Sequence, residues 1–193
     1  MMNSNEERYE NLKISQCKTA QRELAGKEFF NCDFENCDFT AQDFTAATFE
    51  DCTFRGCNLA LAIYRDARLR RVRFEKCKLL GIAFCDCDSF ILEMSFSACA
   101  MKNCDFSKMN LRQTRFEDCE MTENDFIATD LSDCVFSGCS LQRSVFQNCD
   151  LSRADFSKAC DYEINPVQNR VTKAVFSWPE ASGLLHEFGV VIK

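Results

Sequence analysis

Broken every five residues, the stretch 104–156 reads CDFSK MNLRQ TRFED CEMTE NDFIA TDLSD CVFSG CSLQR SVFQN CDLSR ADF. The third residue of every block is large and apolar: Phe106, Leu111, Phe116, Met121, Phe126, Leu131, Phe136, Leu141, Phe146, Leu151 and Phe156. A period of five fits neither the 3.6 residues of an α-helix nor the two of a strand, and self-similarity at a fixed short period announces a solenoid. The beat extends back through Met101 and Phe96 to Ile91. After a slip of two residues it continues from Phe84 down through Leu79, Phe74, Leu69, Tyr64, Leu59, Phe54, Phe49, Phe44, Phe39, Phe34 and Phe29 to Leu24, for 27 positions with no polar exception.

A second register runs two residues before each apolar centre. That site is small, and 11 of the 15 cysteines occupy it within the two runs, from Cys32 and Cys37 to Cys139 and Cys149, with Cys17 and Cys87 continuing the phase. Cys85 and Cys160 fall outside it. The residue just before the centre is often Asp, Asn or Glu, as in CDF at 32–34 and 104–106, CNL at 57–59 and CDL at 149–151. A small inward group, a turn-favouring polar residue and a large inward group can repeat only if the backbone makes a corner every five residues. Four corners close a square coil.

This motif resembles the pentapeptide-repeat family over about Leu24–Phe156. The resemblance implies an all-β solenoid, a right-handed quadrilateral parallel β-helix with four repeats per coil. Residues 20 apart then stack, so Phe96, Phe116, Phe136 and Phe156 form one column facing Phe106, Phe126 and Phe146, with slimmer Leu and Met columns on the other two faces. Seven coils at roughly 4.8 Å per stacked strand give a rod of about 33 Å. Stability is expected from side-chain ladders and bonds between neighbouring coils.

Composition agrees with one ordered domain: 193 residues with 19 Phe, 6 Gly and 2 Pro. A disulfide scaffold does not hold its cysteines in a repeat phase, and stacked thiols are parallel rather than convergent, so they are read as reduced, small and buried. No recurrent CxxC pair accompanies the single histidine, His186, so no metal or other cofactor is expected. The polar start MMNSNEERYENLK and the short apolar runs show no signal peptide or bilayer span, and a cytoplasmic protein without membrane contact is expected.

The ends break the beat. Tyr9 and Ile14 keep the phase weakly, so residues 1–23 are read as a cap or irregular first coil, 24–161 as the repeat body with a bulge near 85–91, and 162–193 as a C-terminal module. In that module an Asn165-Pro166 turn leads to a short strand, KAVFS. Pro179 and Glu180 then start a short C-terminal α-helix that Gly189 stops. Trp178, Ala181, Leu184, Leu185, Phe188, Val190 and Ile192 form an apolar set larger than a solenoid lid requires, which points to a two-fold homodimer contact. INPxxNR, PEAxGLL and FGVVI in this tail, with KEFFNCDFENCDF at 27–39, resemble the subgroup that holds the Qnr quinolone-resistance proteins and a microcin immunity protein. That resemblance implies head-to-head dimers whose acidic rod engages DNA gyrase or topoisomerase IV by imitating duplex DNA. The two-residue excess near 85–91 resembles the members of that subgroup that lack long loops.

Charge points the same way, with a formal net of −7. Residues 117–133 hold Glu117, Asp118, Glu120, Glu123, Asp125, Asp130 and Asp133 without Lys or Arg, and are read as an acidic partner-binding face. Asp residues just before a centre, such as Asp105, Asp125, Asp130, Asp150 and Asp155, have the alternative role of bonding the turn backbone. Residues 65–78 carry Arg65, Arg68, Arg70, Arg71, Arg73, Lys76 and Lys78 against Asp66 and Glu75, read as an ion-paired solvated face or as a contact for an acidic region of the partner or for a nucleic acid. Direct nucleic-acid binding is not expected without exposed aromatic residues among these bases. No phosphate loop or nucleophile motif is present, so no enzyme is expected. A topoisomerase-binding protective protein is the functional expectation, and a scaffold for another protein partner is the alternative.

Overall fold

The computed structural model describes residues 7–17 and 23–190. Its strands all pair in parallel and form the faces of a four-sided coil. Face I begins with strands Arg8–Glu10, Glu28–Phe30, Thr48–Glu50 and Arg68–Arg70. Face II is one nine-stranded sheet running from Lys13–Ser15 to Val175–Phe176. Face III contains Lys78–Leu80, Ala100–Lys102 and Glu120–Thr122, and face IV contains Asp125–Ile127 and Val145–Gln147. Isolated bridges such as Asp38↔Asn58 and Asp43↔Ile63 extend the last two faces toward the N-terminus.

The usual corner is a left-handed residue two places after the apolar centre; Asp86 after Phe84 and Lys158 after Phe156 depart from it. Among the described residues, 25 that are not glycine have positive φ, including Asn36, Leu61, Asp118 and Arg153. Each such conformation costs about 1–2 kcal/mol for an L-residue. It is held by the ladder: the Asn36 N–H donates to the Arg55 carbonyl at 2.8 Å and the Asp118 N–H to the Ser137 carbonyl at 2.8 Å. Gly138 takes the same left-handed corner directly over Asp118, where an added Cβ would overlap the Asp118 carboxylate.

Of the 27 predicted centres, 26 are buried. Aromatic columns stack as expected: Phe96–Phe116 at 5.1 Å and 2°, Phe116–Phe136 at 4.9 Å and 3°, Phe106–Phe126 at 5.1 Å and 4°. Neighbouring columns meet edge-on, as Phe116–Phe126 does at 86°, so the core holds both favoured aromatic geometries. All 15 cysteines are unbridged. They do more than fill space, because the thiol donates to the carbonyl of the centre residue one coil below: Cys77 to Phe54 at 3.2 Å, Cys139 to Phe116 at 3.3 Å, Cys134 to Leu111 at 2.9 Å. Thr129, Ser144, Asn124 and Asn169 donate in the same way where they replace cysteine.

Three expectations are corrected. Ile91 is not a core centre: it is 54% exposed, with φ 62°, beside Phe90 at 78% exposure, while Leu92 packs partly against the core. The two surplus residues leave the ladder between Asp88, bonded to Ala67, and Glu93, bonded to Leu69, and strand pairing resumes at Val72↔Met94, which brings Phe74 opposite Phe96. The repeat also does not stop at Asp161. Asp150↔Arg170 and Phe156↔Phe176 keep the 20-residue spacing, and Ile164 pairs with Phe146, so 162–176 is a further coil. Asp161 stands where the next apolar centre is due, and the buried Tyr162 and Ile164 fall off the five-residue phase, which hides this coil from a count of apolar beats. Finally, the C-terminal helix, Glu180–Phe188, is wound as a 3₁₀ helix rather than an α-helix. Gly183 lies so close to the Tyr162 carbonyl that a Cβ there would sit 2.6 Å from it, and the Ser182 N–H bonds three residues back to Pro179.

Candidate functional site

A run of residues shorter than one 20-residue coil goes round the rod instead of along it. Glu117 lies on face II, Asp118 on the corner after it, Glu120 on face III and Glu123 on the next corner; Asp125 is on face IV, Asp130 on face I and Asp133 on the corner that follows. The seven predicted acids therefore form a girdle, and the structure does not gather them on one face.

Several are also neutralised by bases, most of them stacked one coil away and one, Arg115, on the same strand as its partner Glu117. Arg153 binds Asp133 through Nε at 2.6 Å and Nη2 at 2.7 Å, and Arg112 approaches the same carboxylate at 3.2 Å. Glu123 pairs with Arg143 at 2.8 Å and Lys102 at 3.5 Å, and Glu117 with Arg115 at 3.5 Å. Hydrogen bonds from Arg153 and Arg143 hold the carboxyls of Asp133 and Glu123 below the ordinary range. Asp130 accepts the N–H of Ser132 at 2.9 Å, and Asp105, Asp150 and Asp155 accept the equivalent N–H of Ser107, Ser152 and Ser157. These four aspartates are turn formers.

The basic cluster is paired in the same manner. Arg71 reaches Asp51 at 2.6 Å and Glu50 at 2.9 Å, Arg70 reaches Glu50 at 3.2 Å, and Arg68 reaches Asp88 at 3.1 Å. Arg73 donates to Thr53 at 2.9 Å. Faces I to III thus carry ladders of alternating charge.

Face IV differs. Its outward positions hold Glu23, Asp43, Asp66, Asp86, Asp105, Asp125 and Glu163 against Arg65 and Lys108. Among the described residues, no ion pair engages Asp43, Asp66, Asp86, Asp105 or Asp125; the twelve pairs present lie elsewhere. Asp105 stacks on Asp125, and burial together with the Asp105 charge raises the Asp125 carboxyl. The negative excess of the rod is concentrated on this face. It escapes a reading along the chain because its acids fall in pairs 20 residues apart, at 23 and 43, 66 and 86, and 105 and 125.

At the C-terminal end Trp178 is 70% exposed and Phe188 54%. Leu185 and Val190 are also exposed, whereas Leu184 turns inward against the core and Ala181 is half-buried. Ile192 lies outside the described residues. Burial pushes the Cys104 thiol up to about 11 and the Cys134 thiol to about 12, which disfavours the nucleophilic thiolate. Among the described residues, no cluster of three or more His, Cys, Asp or Glu is placed to hold a metal ion, and no helix is long and apolar enough to cross a membrane.

The sequence model of the pentapeptide repeat region matches residues 27–89 and 89–161. No curated protein sequence matches the chain. Among solved structures, QnrB1, a plasmid-mediated fluoroquinolone resistance protein, is similar with a TM-score of 0.52 and 19% identity, over 100% of this chain and 95% of that one. HetL, a pentapeptide repeat protein involved in heterocyst differentiation regulation from the cyanobacterium Nostoc, is similar with a TM-score of 0.57 and 14% identity, over 88% of this chain and 85% of that one. At such identities the likeness is one of fold.

Proposed function

The chain belongs to the pentapeptide-repeat family, and we propose that it is a non-catalytic binding protein that occupies the DNA-binding surface of a bacterial type II topoisomerase, gyrase or topoisomerase IV. Bound there, it protects the enzyme from quinolone- or microcin-type inhibitors. The observation that carries this reading is the excess of carboxylates on face IV, of which Asp43, Asp66, Asp86, Asp105 and Asp125 meet no ion pair among the described residues. A straight rod with negative charge repeated along one side offers a DNA-binding saddle the same sign and periodic character as a phosphate backbone. On this reading face IV is the partner surface, with Asp125 its one member from the predicted set.

The exposed Trp178, Leu185, Phe188 and Val190 support a two-fold contact between C-terminal ends, which would double the length of the acidic rod. Purified protein titrated against gyrase and linear duplex tests the reading. Displacement of the duplex is the expected result, and a duplex that stays bound at saturating protein contradicts it. The fold is as similar to HetL as to QnrB1, so a different protein partner is the competing reading, and this titration separates the two.

A further inference from the structure

Leu61 breaks two rules at once. It occupies a left-handed corner at φ 60°, a position that elsewhere holds residues such as Asn, Asp, Gly, Ala, Lys and Arg, and its side chain is 56% exposed. A branched apolar side chain in this conformation is strained, and exposure returns nothing in burial. Neither local propensity nor core packing accounts for leucine here, and strain of this kind accompanies binding surfaces.

Its surroundings extend the anomaly. Ile63, two residues on, is 44% exposed. The Leu61 N–H bonds to the Leu80 carbonyl and the Ala41 N–H to the Ala60 carbonyl, which stacks Ala41, Leu61 and Gly81 in one corner column. Leu61 Cδ2 lies against Gly81, where an added Cβ would sit 2.9 Å away. Beside it, Ile63 pairs with Asp43 and Ala83 pairs with Asp105. The face IV column beside this corner therefore runs Asp43, Ile63, Ala83, Asp105, with one carboxylate a coil below Ile63 and another two coils above it. Hydrogen bonds from Thr45 keep the Asp43 carboxyl below its ordinary range, so the rim is ionised at neutral pH.

We infer that the Leu61–Ile63 corner is a docking site for a cationic amphipathic segment of a partner protein, with apolar side chains on Leu61 and Ile63 and basic ones on Asp43 and Asp105. Charge complementarity selects the occupant. An acidic rim repels acidic segments and nucleic acid, and a purely apolar partner would leave the carboxylates unanswered. The inference stands apart from the topoisomerase reading, because it concerns a local anchor rather than the charge of the whole face.

The test uses the full chain and two labelled helical peptides about 18 residues, or five turns, long. One is built from Leu and Lys, the other from Leu and Glu, and fluorescence anisotropy is read at about 0.15 M salt. The Leu/Lys peptide is expected to bind, and Leu61→Asn with Ile63→Thr should weaken it about tenfold or more. Leu61→Asn alone should keep or raise the melting temperature, since Asn tolerates the left-handed corner. Gln113→Asn, at another exposed corner, should leave binding unchanged. Equal binding of the Leu/Glu peptide, or unchanged Leu/Lys binding by the double variant, overturns the site. A fall in melting temperature for Leu61→Asn overturns it by showing that Leu61 serves the fold. Concentration-dependent self-association that the double variant abolishes assigns the patch to a second copy instead and also overturns it.

Discussion

Arg153 and Asp133, separated by one 20-residue coil, meet in a two-pronged ion pair with contacts of 2.6 and 2.7 Å. The pair represents how the rod handles charge: on three faces, acids and bases a coil apart cancel each other. The Arg153 hydrogen bond lowers the Asp133 carboxyl in the folded state. A depressed carboxyl contributes stability above its unfolded value of about 3.9, and that contribution is lost as pH falls through the lower folded value. Asp133→Asn should therefore melt below the parent at pH 7, with the gap closing under acid conditions. Thermal melts across a pH series check this, and a gap that persists in acid contradicts it.

The thiol ladder makes a second prediction. Cys134 donates to the Leu111 carbonyl at 2.9 Å, and Thr129 fills the same position in its own column with a bond of 2.9 Å to Phe106. Cys134→Ala removes a buried donor and leaves a small void, for a loss of about 1–2 kcal/mol. Cys134→Thr should lose less. Denaturant titration distinguishes them, and equal losses would mean that only volume matters.

Tyr64 is the odd member of an aromatic column, stacked between Phe44 at 5.1 Å and Phe84 at 5.8 Å. Its hydroxyl is buried without a hydrogen-bond partner. An unsatisfied buried hydroxyl costs about 1–3 kcal/mol, so Tyr64→Phe should stabilise the rod by up to that amount. Destabilisation in a denaturant titration would reveal a partner for the hydroxyl.

Ile91 combines a β-branched side chain, a left-handed backbone and 54% exposure. Ile91→Gly should raise stability by about 1 kcal/mol through relief of strain. A lower melting temperature would show that the bulge packs through Ile91 after all.

At the other end, Leu185→Glu with Phe188→Glu should give monomers with an unchanged circular dichroism spectrum. Light scattering behind size exclusion reads the mass, and a dimer of unaltered mass rules out this contact.

The five-residue beat made the fold legible because each coil buries the same chemistry at the same phase, from Phe29 to Phe156. Where the beat slips, with Asp161 at the centre position and Tyr162 and Ile164 buried out of phase, the last coil escapes a count by fives. Ile91 was misplaced because periodicity records apolar character and not the direction a side chain takes once two surplus residues loosen the ladder. The charged surface was harder to read. Glu117 and Asp125 are close in the sequence but lie on different faces of a square coil, whereas Asp105 and Asp125, a full coil apart in sequence, are stacked in space. Ion pairs such as Arg143–Glu123 are invisible without that stacking.

The most direct test is gyrase supercoiling in the presence and absence of ciprofloxacin, titrated with three proteins: the parent, a face IV variant and a girdle variant. The face IV variant carries Asp43→Asn, Asp66→Asn, Asp105→Asn and Asp125→Asn, and the girdle variant Glu117→Gln and Glu120→Gln. The account predicts that the parent and the girdle variant rescue poisoned gyrase and that the folded face IV variant does not. A parent without effect on either reaction, or a face IV variant as active as the parent, would contradict it.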